Sequence, residues 1–412
     1  MGQTLNVGIV GCGIGGLAAA SLVRDQGHRV TVLDEFDTPR PVGSGLVIQP
    51  PGQKVLRQLG ILGKALSYGE KIVELEGFDA AGERRVLDAR YDAANSDNFG
   101  LAIHRGALFD LLLQAAKLRD VEIRSNALVL GKLHVDGVYL RIEGRRQAGP
   151  FDLVIDASGV RSALTPLVPK VLPFGALWTV VNLPKGADLG GILRQRYRKA
   201  RQMAGVLPIG TLPGDPSPKA AIFWSMRSDE FAQFREDDIE DWKARAVALW
   251  PDLEYFVRGI TDHEDLVFAN YGHGSLWKAH AKNIAFIGDA AHQTSPQLGQ
   301  GANHALLDAA VLAHAMETKS SVPAALRSYS LRRLLHVKSY QLLSRIATPM
   351  YQSSFGGMAL VRDHVMAPIM SRPGIAGIIS RIICGELVRP LPRGQHVRPL
   401  EDEGLPLHGP GE

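Results

Sequence analysis

From residue 5 the chain alternates short unbroken apolar runs with longer runs of helical spacing. "LNVGIV" is a buried-strand pattern, "GCGIGG" a turn, "LAAASLVRDQG" a helix and "HRVTVLD" a second apolar strand. This order predicts a βαβ unit. A helix is predicted at "PGQKVLRQLG", a hairpin about Ala80 to Glu83, and a helix at "AIHRGALFDLLLQAAK". Strands follow in "VEIRSNALVLGKLHVDGVYLRIEG", with turns at Ser125-Asn126 and Asp136-Gly137, and "FDLVIDASGVRSAL" runs a strand into a tight turn.

Between about 170 and 280 the pattern changes. The strand-like runs "ALWTVVNL", "MAGVLPIG", "AAIFWSMR" and "LVFANYG" surround one helical stretch, "IEDWKARAVALW". Then "NIAFIGDAAHQTSPQLGQGANHALLDAAVLA" takes an apolar strand through Gly-Asp into a long helix, and further helices are predicted at 322–344 and 356–384. The fold class is α/β. Residues 1–170 and 281–345 form a discontinuous Rossmann-type domain, and 171–280 an inserted, mostly antiparallel substrate-binding sheet. Residues 346–388 make C-terminal helices, and the Pro- and Gly-rich stretch 389–412 reads as a mobile tail.

Composition narrows the function little, since 45% hydrophobic and 21% charged residues are ordinary for a globular chain of 412 residues. A net charge of +4 with dispersed basic residues argues against a nucleic-acid footprint. The cluster Arg332, Arg333, His336 and Lys338 reads as a solvated helix face. Two cysteines, Cys12 and Cys384, predict no structural disulfide and suit a reducing cytoplasm. No secretion leader is visible, and "GIAGIISRIIC", interrupted by Arg381, falls short of the ~20 residues of a spanning helix. The 13 histidines lack ligand spacing, so no metal site is expected, and "GSG" at 43–45 lacks the frame of a hydrolase elbow. Nothing in the sequence sets an oligomeric state.

Gly11, Gly13 and Gly16 make G-x-G-x-x-G between strand and helix, with Gly15 inside the turn. Gly11 permits the turn, Gly13 a close approach of a pyrophosphate, and Gly16 close packing of helix on strand. The helix start offers N–H donors and a favourable dipole. Asp34, ending the second strand, can accept from an adenosine ribose; Glu35 beside it would point to the opposite face if the strand persisted.

This motif does not separate NAD from FAD, but the late stretch does. Asp289 ends a buried strand, where a carboxylate can bind a ribityl hydroxyl. The chain then passes Pro296 and enters a helix through Gly299, Gln300 and Gly301. Their N–H groups would face the pyrimidine edge of an isoalloxazine, where negative charge develops on reduction.

With "GCGIGG", "VLDE", "RPVGSGLVIQP", "HRGALFDLL" and "GDAAHQTSPQLGQGAN" in this order over residues 5 to about 345, the chain resembles the class A flavoprotein monooxygenases, the para-hydroxybenzoate hydroxylase-like group. The resemblance implies that Gly11, Gly13, Gly16 and Asp34 hold the AMP half of FAD and that Arg105 contacts the cofactor. It further implies that Gly299, Gln300, Gly301, Ala302 and Asn303 cradle the flavin ring, with Gly45 to Gln49 beside it. NADPH or NADH would reduce FAD, and O₂ would pass one oxygen through a flavin C4a-hydroperoxide to a small aromatic or polycyclic substrate, by hydroxylation or epoxidation. One departure is "DASGVRS", with Ser158 where the family carries an Asp. It leaves open a flavin reductase partner or a reductase or saturase chemistry.

A regulatory dinucleotide-binding protein is the non-enzyme alternative, against which the flavin-ring entry argues. Trp178 and Phe223 are candidate substrate-wall residues, with core packing the competing reading for these two and for Trp224 and Phe268. His292 reads as structural or solvent-facing rather than as an acid-base group.

Overall fold

The computed structural model describes residues 3–38, 44–184, 186–370 and 372–388. The tail from Arg389 and the "RPVG" that opens "RPVGSGLVIQP" lie outside them.

The first apolar run becomes the strand Asn6–Val10, and its lack of alternation has a structural cause: the neighbours Ile9 and Val10, on opposite faces, are both buried. It pairs in parallel with Arg29–Leu33 on one side and Leu153–Asp156 on the other. Ile284–Phe286 adds in parallel beyond Leu153–Asp156. Glu122–Arg124 and the antiparallel His280–Ala281 complete six strands. This order carries the late Gly-Asp turn to within two strands of the first Gly-rich turn. The helices that follow these turns, Ile14–Asp25 and Gly301–Thr318, pack against each other, and a Cβ at Gly15 would lie 3.2 Å from the Ala305 Cβ. Ala18, Ala19 and Ala20 are fully buried beside that contact, small side chains that let two helices approach closely.

The inserted region supplies five strands of a seven-stranded sheet, mostly antiparallel as expected, in which every neighbouring pair is antiparallel except one. The exception joins Ile192–Arg198 in parallel to Glu74–Asp79. That pairing brings in the early hairpin, Glu74–Asp79 with Arg85–Arg90, so the sheet extends beyond residues 171–280. One face of the sheet is covered by the helix Ile239–Leu249, where Ile222, Trp224 and Met226 pack around Trp242 and Leu249. Trp224 and Phe268 belong to this side: Trp224 meets Trp242 edge-on at 6.2 Å, and Phe268 stacks on Phe231 at 4.5 Å. The other face is open to the cavity described below.

The long helix Val322–Tyr351 lies against Gly301–Thr318 and corrects one expectation. Arg333 and His336 are not a solvated face but are buried. The reason is Asp308, wholly buried on the facing helix. Its Oδ1 accepts from Arg333 Nε at 2.6 Å, and Arg333 Nη1 lies 2.7 Å from His336 Nδ1. Among the described residues no helix is long and apolar enough to cross a membrane. The apolar segment near the C-terminus is the helix Pro373–Ile383, docked against the body through Ile383 and Cys384.

Candidate active site

One cavity of about 1180 Å³ runs from the first Gly-rich turn, past the late helix start, to the open face of the seven-stranded sheet. At its first end Gly11 has φ +99, and an added Cβ would stand 2.6 Å from the Ala157 carbonyl oxygen. A Cβ on Gly16 would overlap the carbonyl oxygen of Gly11, whereas one on Gly13 would meet nothing within 4 Å. Gly16 is therefore a packing requirement. Gly13 keeps space free on the cavity side.

Asp34 holds the turn: its Oδ2 accepts from Cys12 N at 2.7 Å and its Oδ1 from Phe36 N at 3.1 Å, while the residue lines the cavity. The strand ends at Leu33, so alternation stops before Glu35. Glu35 therefore lines the same cavity as Asp34 rather than the opposite face, and it pairs with Arg161. Burial, with Asp34 adding to it, pushes the Cys12 thiol up to about 12, which keeps it protonated and inert.

Arg105 and Asp289 face the middle of the channel. Each keeps more than a third of its surface accessible, yet each is surrounded by protein and lines the cavity. Burial pushes the Asp289 carboxyl up, against the pull of His292 and Arg105; burial pushes Arg105 down, against the pull of Asp289. Neither side chain has a hydrogen-bond partner among the described residues. Two opposite charges left unsatisfied along one channel are what a polar ligand would engage.

At the ring end, the short turn Pro296–Leu298 closes on Gly299, at φ +59, and the helix begins at Gly301. No side chain caps this helix, and none caps Ile14–Asp25. His104 and Asp238, by contrast, do cap Arg105–Lys117 and Ile239–Leu249. The first N–H groups of both cavity-facing helices, which like those of any helix lack an intrahelical acceptor, thus have no capping side chain among the described residues either. Gln300 turns its Nε2 away to the Ile383 carbonyl, 2.9 Å, tying the C-terminal helix to the entry. Asn303 does not line the cavity. Its Oδ1 accepts from Gln49 N at 2.7 Å, and its Nδ2 donates to Val47 O and Gly299 O, both 3.1 Å. It pins the strand Gly45–Ile48 against the late helix. Gly45 lines the cavity, and a Cβ there would press Ile209 at 2.5 Å.

The buried Gln49 Oε1, Thr294 Oγ1 and Gln300 Oε1, all on lining residues, have no partner among the described residues. Two uncapped helix starts, a free acid and cation between them, and orphaned polar atoms at the far end fit an extended dinucleotide that carries a polar ring.

Most of the candidates read from the sequence share this one cavity: Gly11, Gly13, Gly15, Asp34, Glu35, Gly45, Arg105, Asp289, Pro296, Gly299, Gln300, Gly301 and Ala302. Gly16 and Asn303 act behind it. Trp178 and Phe223 also face it, directly opposite each other in strand register with ring centroids 5.0 Å apart. His292 is structural and buried, its Nε2 2.7 Å from Asp308 Oδ2, and is not solvent-facing. Asp156 is closed into its own turn, accepting from Ser158 Oγ at 2.5 Å and from Ser162 Oγ.

Sequence reasoning missed Gln195, Tyr197, Tyr351 and the isoleucines 379, 382 and 383, which wall the sheet end. In "ILRQRYR" the period-two signal is present, since Leu193, Gln195 and Tyr197 line the cavity and the arginines between them do not, but three arginines leave it outside the apolar runs that mark strands.

Residues 4–341 match the model of a family described as an FAD binding domain. The chain is 28% identical over 392 residues to the FAD-dependent monooxygenase atnJ of Arthrinium sp, covering 87% of this chain and 88% of that one. It is 24% identical over 402 residues to the 3-amino-4-hydroxybenzoate 2-monooxygenase of Streptomyces cremeus, covering 92% and 96%. Among solved structures it is similar to a mutant form of 2-methyl-3-hydroxypyridine-5-carboxylic acid oxygenase, with TM-score 0.73 and 21% identity over 91% of this chain and 96% of that one.

Proposed function

Because the chain belongs to the FAD binding domain family, we propose that it is an FAD-dependent monooxygenase that uses NAD(P)H and O₂ to hydroxylate or epoxidise a small aromatic or polycyclic molecule. The observation that carries this reading is the single cavity joining the late helix start to an apolar chamber on the sheet. A protein that only bound a dinucleotide would not need that chamber. For hydroxylation the balance is one C–H bond, O₂, NAD(P)H and a proton consumed, and one C–OH bond, water and NAD(P)⁺ formed.

When bound, FAD supplies the redox chemistry, accepting the hydride equivalent and activating O₂. The chain positions it and shields it. The Gly11–Gly15 turn and the uncapped N–H groups of Ile14–Asp25 meet the pyrophosphate, and Asp34 and Glu35 stand at the adenosine ribose. Arg105 and Asp289 serve the middle of the cofactor, Asp289 accepting from a ribityl hydroxyl. The N–H groups at Gly301 and Ala302 stabilise negative charge on the pyrimidine edge. Trp178, Phe223 and the isoleucines of Pro373–Ile383 keep bulk water from the reacting carbon.

The reducing half has a second reading, favoured by the turn at 156–162. The Ser158 hydroxyl donates to Asp156 and one arm of the Arg161 guanidinium is held by Glu35, so the turn has fewer donors left for a nicotinamide phosphate. A partner reductase would then deliver the electrons. Anaerobic titration of the flavoprotein with NADPH and NADH separates the two, since bleaching by either removes the need for a partner. The monooxygenase reading itself is tested by aerobic NAD(P)H consumption against phenols, quinolones and polyketides, with product mass measured. Consumption that yields no product carrying an added oxygen would overturn it. We place the enzyme in the cytoplasm, where its two unpaired, buried cysteines remain reduced.

A further inference from the structure

The chamber beyond the ring end has no cationic wall among the described residues. Of the charged residues that line the cavity, Asp34, Glu35, Arg105, Arg161 and Asp289 stand along the cofactor channel. The sixth, Asp265, is an acid, whose Oδ2 accepts from the backbone N–H groups of Thr261 and Asp262 at 3.0 and 3.1 Å. Strand alternation keeps nearby cations out. Arg194 faces away to Glu76 at 3.3 Å, and Arg196 lies over the rings of Phe78 and Trp250. Arg362 stands behind the wall against Tyr197 and Tyr351, 4.8 and 5.7 Å from their ring centres. Its Nε donates to Asp363 and its Nη1 to the Lys199 and Met350 carbonyls, and it does not line the cavity.

What polarity the chamber offers is neutral and directional. Gln195, on the cavity face, accepts through Oε1 from the Tyr197 hydroxyl at 2.7 Å. Burial holds that phenol well above its ordinary value, so it stays a donor. Among the described residues Gln195 Nε2 has no partner, and an amide nitrogen can only donate. The indole N–H of Trp178 is already used, donating to Tyr271 at 2.9 Å.

Resting on the monooxygenase reading, we infer that this chamber takes a neutral, largely apolar aromatic molecule whose carbonyl or phenol oxygen accepts from Gln195, and that it rejects an aromatic carboxylate. A carboxylate there would be desolvated with no cation to meet it. Two of the similar proteins are named for carboxylated aromatics, so the inference separates this chain from them.

The test uses the FAD-loaded protein and three probes of one shape: 2-naphthol, methyl 3-hydroxy-2-naphthoate and 3-hydroxy-2-naphthoate. Binding is read from the perturbation of the flavin spectrum. The naphthol and the ester should bind at least about tenfold more tightly than the acid. Gln195→Leu should weaken the two neutral probes by about 2- to 10-fold and leave the acid unchanged. Acid binding equal to or tighter than ester binding, as Arg362 would produce if the wall opened to it, overturns the inference. So does the absence of saturable binding by both neutral probes. The probe comparison needs no variant, so it stands even if Gln195→Leu does not load FAD. Product mass is read separately. Neutral probes that bind preferentially but gain no oxygen sink the monooxygenase reading alone, and oxygenation that favours the acid sinks this inference alone.

Discussion

Gly13 and Gly16 stand three residues apart and should answer a side chain in opposite ways. At Gly13 the backbone is extended, φ −85 and ψ −175, a conformation open to any residue, and an added Cβ has nothing within 4 Å. Gly13→Val should therefore leave the FAD-free protein within about 1 kcal/mol of the parent in stability, since only unfolded-state entropy changes. The same side chain fills the space through which a pyrophosphate reaches the N–H groups of the helix start. Losing two charge-assisted hydrogen bonds at about 1.5–3 kcal/mol each weakens FAD binding by about 3–6 kcal/mol, on the order of 10²- to 10⁴-fold.

Gly16→Ala drives a methyl group into the Gly11 carbonyl oxygen. Backbone cannot yield as a flexible side chain does, so this variant should lose about 2–3 kcal/mol of fold stability. Urea unfolding of the FAD-free proteins by circular dichroism, with FAD affinity by equilibrium dialysis, reads both effects. A Gly13→Val protein that binds FAD like the parent, or that unfolds as readily as Gly16→Ala, would show that Gly13 does not keep open a pyrophosphate approach.

Asp289→Ala should reduce FAD affinity by about 10- to 100-fold through loss of a charged acceptor, and gel-filtered variant protein as yellow as the parent would contradict it. Asn303→Ala removes three hydrogen bonds and leaves the Gln49 N–H buried, so stability should fall by about 2–3 kcal/mol; a loss under about 0.5 kcal/mol in urea would show that the pin is idle. Burial, with Arg333 adding to it, holds the His336 imidazole down to about 3, against about 6.5 when unfolded. The unfolded chain therefore binds the extra proton between those values, and stability is complete above about pH 6.5 and falls with pH. The contribution lost between pH 7 and 5 is about 2 kcal/mol, read as the difference in acid sensitivity between the parent and His336→Gln; equal sensitivity would count against it. For Asp308 burial works upward, but His292 and Arg333 outweigh it and hold the carboxyl down to about 2. Its share should persist until the pH drops below about 4, leaving the His336 window clear.

The parts of this protein legible in the sequence are those whose cause is local. The turn at Gly11–Gly16 and the entry at Gly299–Gly301 are each set by a φ, a missing Cβ or a helix start within a few residues. The α/β scaffold and the antiparallel insert follow from the period of apolar positions along single elements. Two helix starts with free backbone N–H groups, one after the first strand and one late in the chain, were therefore readable from local pattern, and they are the places we propose for the pyrophosphate and the flavin ring.

Tertiary structure alone decided which side chains those elements hide. Arg333 and His336 read as surface until Asp308 comes to face them from another helix. Whether Glu35 shares the cavity with Asp34 turns on where its strand stops, and it stops at Leu33. Leu193, Gln195 and Ile382 share a wall only because a parallel pairing, an alternating face and a docked terminal helix converge there. Burial is a property of what packs over a residue, and those partners lie up to two hundred positions away, beyond the reach of any local pattern.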